Sequence, residues 1–422
     1  MLGTGTSRHF REVRSMSGLR KVLLYSHDTY GLGHLRRNLA IARHLLSSVP
    51  GVQVVLASGS TVADRFELPE GLKLVELPPV MKTGKEQYRS REPGMDLSLV
   101  RRARTAVLAD VVVRWQPDVL LVDHSPQGMK GELLGVFEAI RSSSRRTKVV
   151  LGLRDILDDP AHVRRIWSAD GVYETLEQVY DKVLVYGEPG EFDVVAEYGL
   201  PPSVTERMVH CGYVASAPPS APRRPEGLAE GARYVLGTVG GGGDGAEVLI
   251  ATLRVAGRIG LVPVVACGPL MPEPERIAVQ TLAASIPGAV AVEYFEDLAR
   301  VALGAEAIVT RGGYNSQCEL VPLGVPTVVV PRVWPRREQL MRARAFAARG
   351  LVEVVEPDGE QSLEDQLEAA LENAIAYPPR RSSTLDLGGL EKMRDAVVEV
   401  TGSDADLPMA ARVQEPSLAM RA

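Results

Sequence analysis

Short, continuous apolar runs recur along this chain, separated by longer amphipathic stretches, and that alternation constrains the fold more than any other feature. In the first half the runs cover residues 21–27, 52–58, 72–77, 119–124, 148–154 and 182–187. Each is rich in Val and Leu at consecutive positions. A strand with one wet face alternates apolar and polar residues, whereas a strand buried on both faces, as in a parallel sheet, does not. The intervening segments 35–47, 97–115 and 129–142 carry helical spacing. Strands alternating with helices predict βαβ units and a doubly wound sheet.

The pattern breaks at residues 215–232, ASAPPSAPRRPEGLAEGA, which have no apolar period and read as a linker. A second alternating series then runs through 234–239, 262–267, 289–294, 307–310, 327–331 and 351–355. A chain of 422 residues exceeds one ordinary core, so two domains are expected. The resulting division is a flexible N-terminus at 1–19, a first α/β domain at 20–214, the linker, and a second α/β domain at 233–378. A helical segment at 379–402 is left free to pack back on the first domain, and a disordered tail at 403–422 ends the chain.

Composition excludes several classes. Lys and Arg total 48 against 53 Asp and Glu, a formal net charge of -5, which lacks the basic footprint of a nucleic-acid partner. The three cysteines form no CxxC pair, so neither a disulfide framework nor a zinc site is expected. No secretion signal and no membrane-spanning run is readable, so a cytoplasmic location is expected, with peripheral membrane contact left open.

Two glycine-rich loops follow first strands of the two series. In the first, DTYGLGHLRRN, Gly31 and Gly33 sit where a strand turns sharply into a helix whose N-terminus offers N–H groups to an anion. A plain βα turn would use the same glycines. His34, in the first helical turn at a strand's carboxyl end, has the chemistry of a general base, since imidazole titrates near about 6.5. The alternatives are a histidine that only hydrogen-bonds loop backbone, and His27 at the strand end as a weaker rival. The positive helix end should hold that value down. Asp123, ending the run VLLVDHSP, is placed to orient His34, to cap the next helix, or simply to line the cleft.

The second loop reads GGGGDGAEVL. Gly240, Gly242 and Gly245 match GxGxxG, but the next strand, VPVVACGP, ends without the acid that a nicotinamide dinucleotide site uses for its ribose. Farther on, VTRGGYNSQCELVPLGVPTVVVPR sets Arg311, Gly312 and Gly313 at a strand end. Ser316 and Glu319 follow on one helix face. An isolated Glu there would ordinarily be a solvated charge.

Together the GLGH loop, GGGGDGAEVL, YFEDLARVALGAEAIVTRGGYNSQCE and VPLGVPTVVVPRVWPRREQ resemble the GT-B glycosyltransferases. The resemblance covers residues 21 to about 401. It is nearest to the relatives of the lipid II-forming N-acetylglucosaminyltransferase, with a glycosyltransferase 28-type C-terminal domain. The UDP-glucuronosyltransferase and antibiotic glycosyltransferase families share the logic. The resemblance implies an α/β GT-B fold, two Rossmann-like domains with parallel sheets facing across a cleft.

It also implies roles. Gly240, Gly241, Gly242 and Gly243 would wrap a donor diphosphate, and Phe295 would border the nucleobase. Arg311, Gly312, Gly313, Asn315 and Ser316 would form the phosphate-binding turn, and Glu319 the ribose carboxylate. Glu338 and Gln339 would meet sugar hydroxyls, while His34 and Asp123 match the acceptor base and its support. Two departures matter: YGLGHLRRN carries two arginines just inside the helix, and WPRR precedes the sugar-contact pair.

The expected reaction is inverting, metal-independent transfer from a nucleotide-diphosphate sugar, UDP-linked by resemblance, to an acceptor hydroxyl of unknown identity. No cofactor is expected, the nucleotide-sugar being a substrate. The alternatives are a UDP-sugar 2-epimerase or nucleotide-sugar hydrolase of the same fold, and a non-catalytic nucleotide-sugar-binding subunit. Lys82, Lys85, Arg89, Arg91, Arg101 and Arg102 offer either an acceptor mouth for an anionic substrate or a solvated basic loop.

Overall fold

A computed structural model describes residues 19–28, 32–84, 87–91, 94–143, 146–356, 360–379 and 385–402. Its first nine strands are β1 (Lys21–Tyr25), β2 (Gln53–Ser58), β3 (Leu72–Glu76), β4 (Val80–Gly84), β5 (Gln87–Ser90), β6 (Val119–Asp123), β7 (Lys148–Arg154), β8 (Lys182–Tyr186) and β9 (Met208–His210). The remaining six are β10 (Tyr234–Thr238), β11 (Val262–Ala266), β12 (Val290–Val292), β13 (Ala307–Thr310), β14 (Thr327–Val329) and β15 (Glu353–Val354). They form two parallel sheets, ordered β3-β2-β1-β6-β7-β8-β9 and β12-β11-β10-β13-β14-β15, plus the antiparallel hairpin β4-β5. The α/β architecture of two Rossmann-like domains holds.

Chain order reverses between β1 and β6 in the first sheet and between β10 and β13 in the second. Loops leaving two such strands diverge to opposite faces and open a crevice at the carboxyl rim, where open α/β sheets bind ligands. The register pairs Tyr25 with Val122, so the segments carrying His34 and Asp123 leave the rim side by side. Thr238 likewise pairs with Thr310, bringing the GGGG and RGG loops together.

The helices packed around the first sheet explain its core. In helix Gly33–Ser48, Leu35, Leu39, Ala42 and Leu45 are buried, the spacing of a helix packed on one side. Helix Gly389–Gly402 packs on the first domain against that helix and against β7 and β8, burying Met393 and Val397. The same apolar cluster also takes in Tyr314, Val329 and Phe346 from the second domain. One core therefore runs through both halves.

Ion pairs reinforce that union. Arg342 Nη2 lies 2.7 Å from Asp155 Oδ1, with both side chains at most 3% exposed. Arg349 meets Glu188 and Glu191 at 3.1 and 2.8 Å. Deleting one partner of a buried pair strands a charge at a cost of about 3–5 kcal/mol, so Asp155–Arg342 fixes how the domains meet. The amphipathic stretch 129–142 is not one helix. It breaks into a 3-10 turn, Met129–Gly131, and a helix, Leu134–Arg141, because Gly128, Lys130 and Gly131 take left-handed backbone. No helix among the described residues is long and apolar enough to cross a membrane.

Candidate active site

The crevices of the two sheets meet in one cavity of ≈ 360 Å³ lined from both domains. From the first domain come His27, Gly33, His34 and Arg154. The second contributes Gly240 to Gly243, Arg311, Gly313, Asn315, Ser316, Glu338 and Gln339. Residue Gly31 lies outside the described residues.

His34 reaches the cavity from the first turn of its helix, and Asp123 stands behind it at the end of β6. Nδ1 of His34 lies 2.6 Å from Asp123 Oδ2. Arg37, one turn along the same helix, donates to the other oxygen, Oδ1, from Nε at 3.0 Å and Nη2 at 2.7 Å. Arg37 Nη2 is also 3.1 Å from His34 Nδ1. A guanidinium has no acceptor to offer, and the shorter contact is the one to the carboxylate, so Nδ1–H donates to Asp123 and Nε2 keeps its lone pair. Burial raises the Asp123 carboxyl, but Arg37 and His34 outweigh it and hold it well below the carboxylate range. Burial lowers the imidazole of His34; Asp123 opposes this, while Arg37 and Arg154 add to the lowering. The neutral base is therefore favoured at neutral pH.

The opposite wall is built for anions. Gly240, Gly242 and Gly245 have φ of 66, 81 and 105°, backbone that only glycine adopts freely. A Cβ on Gly242 would lie 2.1 Å from the Cys267 carbonyl oxygen. Helix Ala246–Ala256 begins there with no side-chain cap, leaving its first N–H groups for a ligand. Among the described residues, six arginines line the cavity against two carboxylates, Asp244 and Glu338. Asp244 binds both Arg311 (3.3 Å) and Arg332 (3.4 Å), and Glu338 binds Arg332 (3.2 Å). Burial and Arg37 push the Arg154 guanidinium down to about 10, with Glu338 opposing. Among the described residues, buried Arg154 Nε, Arg311 Nε, Asn315 Oδ1 and Glu338 Oε2 have no hydrogen-bond partner, which marks a polar ligand site.

Three expected residues stand differently. Gly312 (φ 71°) lies against Gln317 and Val329, shaping the turn rather than facing the cavity. Phe295 packs against the apolar cluster on one face of the second sheet and does not line the cavity. Glu319 points across to the first domain, where Arg36 Nη2 donates to both its oxygens at 2.8 and 3.0 Å. Asn315 Nδ2 donates to the Gly33 carbonyl at 2.7 Å beside it. Sequence reasoning gave no role to Arg37, Arg154, Arg332 or Arg336: Arg37 and Arg336 stood out only as departures within YGLGHLRRN and WPRR, and Arg154 and Arg332 left no signal.

Two parallel sheets meeting at their switch points, with a glycine loop on each, define a GT-B fold. Residues 238–399 match the glycosyltransferase family 28 C-terminal domain. The calicheamicin glycosyltransferase CalG4 superposes with a TM-score of 0.54 at 17% identity, over 92% of this chain and 97% of that one. MurG of Acinetobacter baumannii gives 0.52 at 15% identity, over 91% and 99%. The UDP-GlcNAc 2-epimerase of Neisseria meningitidis, bound to UDP-GlcNAc, gives 0.58 at 14%, over 91% and 100%. No curated protein matches the sequence. The chain thus has a GT-B fold, and its second domain matches a glycosyltransferase family 28 C-terminal domain.

Proposed function

We propose that the protein transfers a sugar from a nucleoside-diphosphate donor, UDP-linked, to an acceptor hydroxyl, with inversion and without a metal ion. The donor diphosphate lies against Gly240–Gly243 and the start of helix Ala246–Ala256. His34 Nε2 takes the acceptor's proton, the acceptor oxygen bonds to the anomeric carbon, and the bond from that carbon to the diphosphate oxygen breaks. The nucleoside diphosphate leaves with its negative charge stabilised by loop N–H groups, Arg311 and Arg332. Asp123 stabilises the imidazolium that forms. One displacement needs no carboxylate nucleophile, and preset arginines supply the charge that a divalent ion supplies elsewhere.

The observation that carries this reading is the His34–Asp123 pair at 2.6 Å facing an arginine- and glycine-lined wall across one cavity. Incubation with UDP-sugars and a panel of hydroxyl acceptors tests it: glycoside and UDP should appear in equal amounts. The epimerase likeness supports a second reading, in which UDP-GlcNAc alone is converted to its 2-epimer. Appearance of the epimer without acceptor would favour that reading over transfer.

A further inference from the structure

A second cavity of ≈ 340 Å³ opens in the first domain beside the donor cleft, and His27 and Arg336 line both. His124 lines the second one, its ring centre 5.1 Å from that of His34. Leu134, Leu157, Val163, Ile166 and Trp167 give it an apolar wall. Arg101 and Lys130 are exposed lining residues, and neither meets a carboxylate among the described residues. Arg101 donates to the Lys130 carbonyl at 3.1 Å, and the Lys130 ammonium lies 5.7 Å from the Tyr88 ring centre. Of the acids lining it, Asp158 accepts from the backbone N–H of Asp159 and Arg337, each at 2.9 Å, and Asp170 ends helix Pro160–Ala169.

The loop between β6 and helix Leu134–Arg141 is costly to build. His124 and Lys130 take φ of 70 and 51°, a conformation that non-glycine residues hold only where the surroundings impose it. A buried network imposes it: Tyr25 donates to Glu132 at 2.5 Å and accepts from Met129 N–H, while Arg104 clamps Glu132 at 2.6 and 2.8 Å. Arg336 Nη1 lies 3.4 Å from His124 Nε2 and only donates, so the His124 proton sits on Nδ1. That buried Nδ1–H has no hydrogen-bond partner among the described residues.

We propose that this cavity is the acceptor subsite and takes an amphipathic acceptor, its apolar body on the Ile166–Trp167 wall and an anionic group held by Arg101 and Lys130. The assignment rests on the first cavity being the donor site. An acceptor seated here reaches His34 past His27 and His124.

The test is calorimetry, with UDP present, on hydroxyl-bearing phenylpropyl ligands that end in carboxylate, phosphonate, methyl or ammonium. The two anions should bind roughly tenfold tighter than the neutral ligand, about 1.4 kcal/mol, with the ammonium weakest. The double variant R101Q/K130Q should bring the anions down to the neutral ligand while leaving UDP affinity unchanged. I166W, which adds a larger ring to the apolar wall, should abolish binding of the whole panel. The order of carboxylate and phosphonate identifies the preferred anion. Equal binding of neutral and anionic ligands, a preference that survives R101Q/K130Q, or no binding at all overturns the proposal. Failure of UDP itself to bind would instead defeat the donor reading.

Discussion

Replacing Asp123 by Asn keeps the side chain's shape and removes its charge. Asn Oδ1 can still accept from Arg37, but its amide now offers N–H toward His34 Nδ1, where the carboxylate accepted at 2.6 Å. The imidazole must answer with a lone pair on Nδ1, which moves its proton to Nε2 and removes the base. A positioned base contributes about 10²–10⁴ in rate, or about 2.7–5.4 kcal/mol at 1.36 per decade. D123N should therefore lower kcat/KM by that factor in a UDP-release assay, with donor affinity within about threefold. Arg37, 1% exposed, would lose its counter-charge. A buried pair broken outright costs about 3–5 kcal/mol, so the urea midpoint should fall, by less than that because the amide oxygen remains. Asp123 favours the imidazolium, so its loss should move the NMR titration of His34 to lower pH. A folded D123N protein with near-normal turnover, or a His34 titration moved upward, would refute the reasoning.

Other outcomes follow from the same geometry. Gly242→Ala places a methyl 2.1 Å from the Cys267 oxygen at φ 81°, so the loop must move. Left-handed backbone alone costs about 1–2 kcal/mol, and UDP affinity by calorimetry should drop about tenfold or more; unchanged affinity would remove the loop from the donor site. Arg36→Gln frees Glu319 from a partly exposed pair worth about 0.2–1 kcal/mol. If ribose competes for that carboxylate, UDP should bind up to about fivefold tighter, less so in high salt; weaker binding would show that Arg36 itself holds the donor.

Both sheets were legible because their strands are buried on both faces: β1, β6 and β10 are continuous apolar runs. The hairpin β4-β5 was not, because Gln87–Ser90 alternates half-covered and exposed polar residues and reads as a basic loop. Strand β9 is three half-buried residues, too short to carry a period. The second glycine loop announced itself through residue type, since few other side chains tolerate the dihedrals of Gly240, Gly242 and Gly245. The arginines did not. Arg154 and Arg342 look like ordinary surface cations in sequence, and Asp155–Arg342 joins residues 187 positions apart. Their burial is a product of how the domains meet, which no local pattern encodes. The same holds for Glu319, whose neighbour Arg36 comes from the other domain.

The central claim is that a sugar donor bound in this cleft is attacked by a hydroxyl that His34 deprotonates. His34→Ala, compared with the wild type for donor affinity by calorimetry and for transfer rate in a single turnover, tests it most directly. The account predicts that UDP affinity stays within about threefold while transfer falls by about 10²–10⁴. Transfer that persists at the wild-type rate, with the donor still bound, would contradict it.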